Sequence, residues 1–326
     1  MSSPFHAPGR PRSAVSVIIL TGNEERNITD CLASLDWADD VIVVDSFSRD
    51  ETLDRARRAR PDVRIFQNPF EDFGQQRNWA LDETSPVHEW ILFLDADERC
   101  TPRFIEAIRA AIADPGDRAG FFLCYRNLFL GQWIKRSTFY PSWQLRLLRR
   151  GEVRYRKEGH GQREVTQGPL GFIREPYDHE GFSKGVADWI ARHNRYSTHE
   201  VELILKLRRE PLRLIDLFRR DPLVRRRCLK RVAARLPLRP VTRFVYSYVF
   251  RGGFLDGRAG WHYCLLRASH EIHVEAKLAE LSADRVPTRS VDPGSTIPGP
   301  IDVEATDPSQ TGPPVSSGRD VTCGNS

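Results

Sequence analysis

Two aspartates one residue apart, Asp95 and Asp97, stand directly after the apolar run Ile91–Leu94. Carboxylates at i and i+2 past a buried strand can converge on one divalent cation, with the phosphates of a ligand completing the shell. Mg2+ and Mn2+ favour such oxygen-rich, few-carboxylate sites. The spacing alone is a weak signal, because acidic pairs are common. The position says more, since a strand end is a poor place for charge unless a cation or ligand is there. The plainer alternative is a capping loop that leads into Thr101-Pro102. A second carboxylate, Asp45, closes the run Val41–Val44. It can accept from a base or a ribose hydroxyl, or cap the next helix. We read Asp45 as facing a ligand and Asp50 as the cap.

Short β-branched runs alternating with helical patterns must position these groups. Ala14–Leu20, Val41–Val44, Val63–Phe66 and Trp90–Leu94 read as strands. Between and after them, helices are expected with Ile28, Cys31, Leu32 and Leu35 on one face, then over 50–59, 73–82 and 102–113. Asn23 is a plausible N-cap for the first helix. This alternation predicts an α/β fold whose parallel sheet is covered on both faces, with ligands at the carboxyl ends of the strands. The residues at those ends are Thr21–Glu24, Asp45–Asp50, Asn68 and Asp95–Glu98, and three of these four clusters are acidic. Further on, Gly120–Arg126 and Trp143–Leu148 look like antiparallel strands. Residues 151–171 read as loops with short strands, and 186–207 and 242–281 as helices.

Composition narrows the function. The chain has 326 residues, 40% hydrophobic and 29% charged, enough for a sizeable core. Its longest charge-free stretches reach about half of the ~20 residues a membrane-spanning helix needs. The formal charge of +5 is uneven: residues 201–243 hold fourteen Lys/Arg against four Asp/Glu. Leu and Phe residues interleave with these cations, which suggests helices lying on an anionic membrane surface; a solvated helical face is the rival reading. A nucleic-acid binder would want stacking aromatics among the arginines, and between Leu203 and Arg239 the only aromatic is Phe218. The six cysteines show no CxxC spacing, and the N-terminus lacks the apolar region of a signal peptide. Both point to a cytoplasmic protein. Residues 1–12 and 282–326 are expected to be a disordered lead and tail, the latter with seven Pro and five Gly. No GxGxxG, Walker A, GxSxG or HExxH motif is present.

The stretch SVIILTGNEERNITDCLASLDWADDVIVVDSFSRDET, then FGQQRNWAL and WILFLDADER, resembles the inverting glycosyltransferases of family 2, with the GT-A fold. The likeness continues through RNLFLGQWI, YPSWQLRLLRRG, HNRYS and RGGFLDGRAGW. It lies nearest the branch with lipopolysaccharide-core β-1,4-glucosyltransferases. The resemblance implies a Rossmann-like catalytic domain over 13–200 and a basic, aromatic, membrane-proximal helical extension over 201–281. It implies a nucleotide-sugar donor, UDP-linked by expectation, a lipid-linked glycan acceptor, a divalent cation (Mg2+ or Mn2+), and no nucleic-acid partner. The enzyme would sit at the inner face of the cytoplasmic membrane.

Carried over residue by residue, the resemblance places Asn23 and Glu24 at the nucleoside and Asp45 at the base. Gln76, Arg77 and Asn78 fall beside the nucleotide, Asp95 at the ribose or metal, and Asp97 at the metal. Inversion needs a base opposite the diphosphate, so it should come from the second half of the chain. The family has a contiguous His-Glu pair there, whereas this chain reads EGHGQREV. Glu164 is the first candidate and His160 its rival, with Asp178, Glu180, Glu158 and His179 also in range. Arg146 and Arg149 could face the diphosphate or acceptor. The QxxRW signature of processive synthases is missing, so one sugar per turnover is expected. A sugar nucleotidyltransferase is the alternative enzyme; it would need a Gly-rich phosphate loop where this chain has TGNEE.

Overall fold

The computed structural model describes residues 14–158 and 161–283. The expected lead 1–12, most of the expected tail 282–326, His160 and Cys323 lie outside the described residues. The first half alternates as its periodicity predicts. β1 (Val15–Thr21), α1 (Ile28–Ala33), β2 (Asp40–Asp45), α2 (Thr52–Ala59), β3 (Arg64–Gln67), α3 (Phe73–Glu83) and β4 (Trp90–Asp95) follow in order. Next come β5 (Glu98–Arg99), α4 (Pro102–Ala113), β6 (Gly120–Phe129), β7 (Gln132–Trp133) and β8 (Gln144–Arg149). A hairpin of β9 (Arg154–Glu158) and β10 (Gly161–Val165) precedes β11 (Leu170–His179).

The main sheet runs β3-β2-β1-β4-β8-β6-β11-β5. Its first four strands are parallel, as expected. β8 then enters antiparallel between β4 and β6, while β11 runs parallel to β6. The whole is therefore a mixed α/β sheet. β6 and β8 approach closely at Gly120, where a Cβ would lie 2.8 Å from the Leu147 carbonyl oxygen. Alternate residues of each strand feed opposite faces. Val15, Val17, Ile19, Val43, Leu92 and Leu94 pack with Phe104 and Ile108 of α4 on one side. Ile18, Leu20, Ile42, Val44, Ile91 and Phe93 pack with Ala80 of α3 and Tyr155 of the hairpin on the other. Burial on both faces is why these strands read as unbroken apolar runs.

Local capping departs from expectation at α1. Asn23 does not cap α1: its φ is 56°, a left-handed conformation that Asn tolerates better than most residues, and the helix starts after Asn27. α4 starts as its Thr-Pro pair suggests, with Thr101 Oγ1 accepting from Phe104 N at 3.2 Å.

The C-terminal helices are α5 (Val186–Arg209), α6 (Pro222–Ala233), α7 (Arg239–Val245) and α8 (Gly257–Ala283). α5 passes through 200/201 without a break. Prolines punctuate the basic region as their chemistry requires: α5 stops before Pro211, and Pro222 and Pro240 stand in the first turns of α6 and α7. No helix among the described residues is long and apolar enough to cross a membrane. Cys31, Cys100, Cys124, Cys228 and Cys264 are buried free thiols.

Candidate functional site

The strand tips meet side by side. Across β1, Thr21 is in register with Asp45 and Leu20 with Asp95. Their carboxylates have different surroundings. Asp45 is fully buried; it accepts from Ser48 Oγ, from Ser48 N at 2.9 Å and from Gln67 Nε2 at 3.0 Å, so it ties the loop after β2 together. Asp95 is part-exposed and meets two guanidinium groups. Arg146 of β8 donates to both of its oxygens at 3.2 and 2.7 Å, and Arg77 of α3 stands 3.6 Å away. Burial alone would raise the Asp95 pKa, but Arg146 and Arg77 outweigh it and hold the group at about 2.

Beneath this pair lies Glu98, a residue with two donors and an acid neighbour. Asp95 N donates to Glu98 Oε2 at 2.8 Å, and the Tyr177 hydroxyl donates to Oε1 at 3.1 Å. Burial, more than the adjacent Asp95 charge, pushes the Glu98 carboxyl up to about 7 against the pull of Arg146.

Asp97 turns the other way. Its Oδ2 lies 3.4 Å from His179 Nε2 at the end of β11. The His179 Nδ1–H donates to Asn127 Oδ1 at 2.9 Å, which directs Nε2 at the carboxylate. Burial works against charge on this imidazole, yet the hydrogen bond and charge of Asp97 raise it to about 9. The backbone closes the corner: Glu180 N donates to the Asp97 carbonyl at 2.8 Å. Among the described residues no group of three or more His, Cys, Asp or Glu is set to hold a metal ion. A half-buried carboxylate beside an oriented imidazole nevertheless fits a cation that takes its remaining ligands from phosphate oxygens.

The first loop is held from two sides. Asn23 N donates to Ser48 Oγ at 2.7 Å, Glu24 N to Thr52 Oγ1 at 2.7 Å and Glu25 N to Asp50 Oδ2 at 3.2 Å. Asn23 Oδ1 accepts from Arg49 N at 2.8 Å. Asp50 also accepts from Thr52 N at 3.1 Å, but the cap position of α2 belongs to Glu51, so Asp50 steadies the helix start from one residue earlier than expected. Glu24 pairs with Lys184 at 2.5 Å, a link from the first loop to the segment after β11. Burial raises the Glu24 pKa despite Lys184.

On α3 the three motif residues divide their work. Gln76 is buried; its Oε1 accepts from Asn68 Nδ2 at 2.8 Å and its Nε2 reaches Ser46 Oγ at 3.3 Å, joining the tips of β2 and β3. Arg77 is buried among Phe73, Phe93 and Tyr155, 5.6 to 5.7 Å from the ring centroids. It is no solvated helix residue. Asn78 points at the hairpin: its Nδ2 donates to Tyr155 O at 2.8 Å and its Oδ1 accepts from Tyr155 N at 3.0 Å.

Glu164 sits on β10 opposite Tyr155. Cross-strand partners share a face, so Glu164 lies on the hairpin face that bears the Tyr155 ring and, through it, Arg77. Asp178 is engaged by Arg126 at 2.5 Å. Arg149 pairs with Glu89 at 3.0 Å at the far end of β8. The structure thus gathers Glu24, Arg77, Asp95 and Asp97 with Glu98, Arg146, His179 and Lys184. Lys184 carried no sequence signal of its own. Glu98 and Arg146 stood out in the sequence, but not as partners across the sheet.

A family model described as glycosyl transferase family 2 matches residues 16–180. The lipopolysaccharide core biosynthesis glycosyltransferase LpsC of Rhizobium meliloti (strain 1021) is 28% identical over 148 residues, 44% of this chain and 54% of that protein. The glycosyltransferase SunS of Bacillus phage SPbeta is 38% identical over 81 residues, 24% of this chain and 19% of that protein. The chain thus spans about half or less of the curated relatives it matches. Among solved structures, S. aureus TarS 1-349 is similar with a TM-score of 0.40 and 15% identity, covering 83% of this chain and 92% of that one. Glucosyl-3-phosphoglycerate synthase from Mycobacterium tuberculosis, solved with Mn2+, UDP-glucose and phosphoglyceric acid, has a TM-score of 0.30 and 24% identity, covering 34% and 43%.

Proposed function

The chain belongs to glycosyl transferase family 2, and from that premise we propose an inverting enzyme that moves one sugar from a UDP-sugar to a lipid-linked glycan of the cell envelope. Support for the donor end comes from one observation above the others: Asp95 and Asp97 share a strand tip yet carry opposite partners, guanidinium groups on one and an imidazole on the other. Such a tip can hold a nucleotide on the Asp95 side and a cation with diphosphate on the Asp97 side. Mg2+ or Mn2+ bound there would offset the charge that grows on the departing diphosphate.

The chain's own residues supply the remainder. Arg146 and Arg77 keep Asp95 ionised and fix its direction. Asp97 would offer a carboxylate oxygen to the cation, and His179 would add Nε2 only once the cation has displaced the proton that Asp97 now holds there. Lys184 holds Glu24, and with it the first loop, against the segment after β11. Glu164 takes the proton of the acceptor hydroxyl as that oxygen bonds to the anomeric carbon and the bond to the diphosphate oxygen breaks. Attack from the side opposite the leaving group inverts the centre. The nucleotidyltransferase alternative loses ground, because the amides of Asn23, Glu24 and Glu25 are spent on Ser48, Thr52 and Asp50 instead of facing a phosphate.

For the acceptor side, the similarity to a lipopolysaccharide core enzyme and the surface of the basic region support a membrane-bound glycan. Phe218 and Phe250 are 85% and 79% exposed, with Leu214, Ile215 and Leu238 also exposed nearby in the chain. Large apolar side chains among cations suit an anionic bilayer surface. The reading is tested with a panel of UDP-sugars and Mn2+. Metal-dependent release of UDP should fall at least 100-fold in Asp97→Ala; undiminished turnover by that variant would refute the assignment.

A further inference from the structure

A cavity of about 250 Å³ opens between the sheet and the C-terminal helices, and it adjoins the site described above. Two of its lining residues, Tyr125 and Asn127 of β6, also hold His179: the Tyr125 ring packs edge-on at 5.2 Å and Asn127 accepts from Nδ1 at 2.9 Å. Arg243 of α7 and Arg267 of α8 also line it, with Phe139 and Tyr263. The Arg243 guanidinium stacks 5.0 Å above the Phe139 ring.

Charge here is unbalanced. Among the described residues no carboxylate forms an ion pair with Arg243 or Arg267, whereas the acids nearest in charge are taken: Glu271 by Arg239 at 2.7 Å, Glu200 by His270 at 2.8 Å. Arg243 Nε is buried without a hydrogen-bond partner. Burial and the Arg267 charge both disfavour its ionised form. Two guanidinium groups line the cavity with no carboxylate in ion-pair range of either among the described residues, and their planar forks suit carboxylate or phosphate oxygens.

The wall is rigidly built. Asp256 Oδ2 accepts from Arg136 N at 2.8 Å, Ser137 N at 2.7 Å and Ser137 Oγ at 2.8 Å. At Gly260 an added Cβ would stand 2.2 Å from the Gly253 carbonyl oxygen, so α8 can reach this loop only with glycine there. Arg251 covers the Phe139 ring at 4.8 Å and donates to Thr138 O at 2.8 Å.

We propose that this cavity is an acceptor subsite for an acidic sugar, with Arg243 and Arg267 gripping its carboxylate or phosphate oxygens while Tyr125, Phe139 and Tyr263 bound the ring. The proposal rests on the glycosyltransferase reading and narrows the acceptor to an anionic glycan. Placement beside His179 brings the bound sugar next to the diphosphate end of the cleft.

The test uses the full chain with Mn2+ and saturating UDP, so that the donor site is filled. Glucuronate, glucose 6-phosphate and glucose are titrated by calorimetry at low and high salt. At least one anionic sugar should bind tenfold or more tighter than glucose, with salt weakening it, and the stronger of the two identifies the preferred oxyanion. In Arg243→Gln/Arg267→Gln the anionic sugar should lose tenfold or more while UDP affinity stays within twofold. Equal binding of charged and neutral sugars by the unmodified protein, or unchanged anion binding by the variant, would overturn the subsite. Failure of UDP itself to bind would count against the donor reading instead, and the two failures are separable.

Discussion

Arg146 and Asp95, 51 residues apart in the chain, form a two-pronged ion pair across the β4–β8 seam, with both nitrogen-to-oxygen distances at or below 3.2 Å. The antiparallel entry of β8 beside β4 makes that contact possible. Arg146 also lies 3.6 Å from Glu98, and both acids raise its pKa well above the usual value even though burial acts against charge.

Replacing Arg146 by methionine takes the nearest cation from Glu98 and leaves Asp95 with Arg77 alone. Removing one partner of a buried pair costs about 3–5 kcal/mol, so Arg146→Met should lower the urea midpoint markedly and abolish UDP binding. A variant that unfolds and binds like the parent would show that Asp95 has another means of neutralisation.

Glu164 is proposed to take the acceptor proton, so Glu164→Gln should bind UDP-sugar normally and reduce transfer by about 10²–10⁴-fold, the usual yield of a general base. Glu180→Gln serves as the comparison. Should the Glu180 variant show the larger loss in turnover with intact donor binding, the base belongs at the end of β11.

His193 stacks on Trp189 with ring centroids 3.4 Å apart. Burial, helped by Arg267 and His270, lowers its pKa from 6.5 to about 4. An imidazole with a folded-state pKa below its unfolded value stabilises fully above pH 6.5, and that contribution fades as pH falls toward 4. The difference in unfolding free energy between the parent and His193→Gln should therefore shrink as the pH falls from 7.5 to 4.5. A gap that stays constant over this range would mean that His193 does not titrate in this way.

Phe218→Asp/Phe250→Asp should cut sedimentation with phosphatidylglycerol vesicles at least fivefold and leave UDP binding alone. Neutral phosphatidylcholine vesicles should bind the parent weakly. Equal sedimentation of parent and variant would assign these side chains to another surface.

Much of the donor half was legible because its code is local. Strands buried on both faces must be apolar throughout, and strand ends that carry acids stand out against them. The helices expected over 73–82 and 102–113 stand at Phe73–Glu83 and Pro102–Ala113. Other features depended on sheet order, which no single segment carries. The partnership of Arg146 with Asp95 needed the position of β8, and that of His179 with Asp97 needed the parallel return of β11 beside β6. Asn23 misled for a local reason: the residue types that cap helices also tolerate left-handed backbone, and here the second property prevailed.

Asn78 couples the hairpin to α3. One side-chain amide both gives and takes a hydrogen bond with the Tyr155 backbone, as a neighbouring strand would. The arm that bears Glu164 is fastened there to the frame that bears Asp95, alongside Arg154 on Asp82 at 2.7 Å and the Tyr155 hydroxyl on the Leu145 carbonyl at 3.2 Å. Under the role proposed for Glu164, one exchange at Asn78 would loosen the arm that removes the proton and leave the sheet untouched.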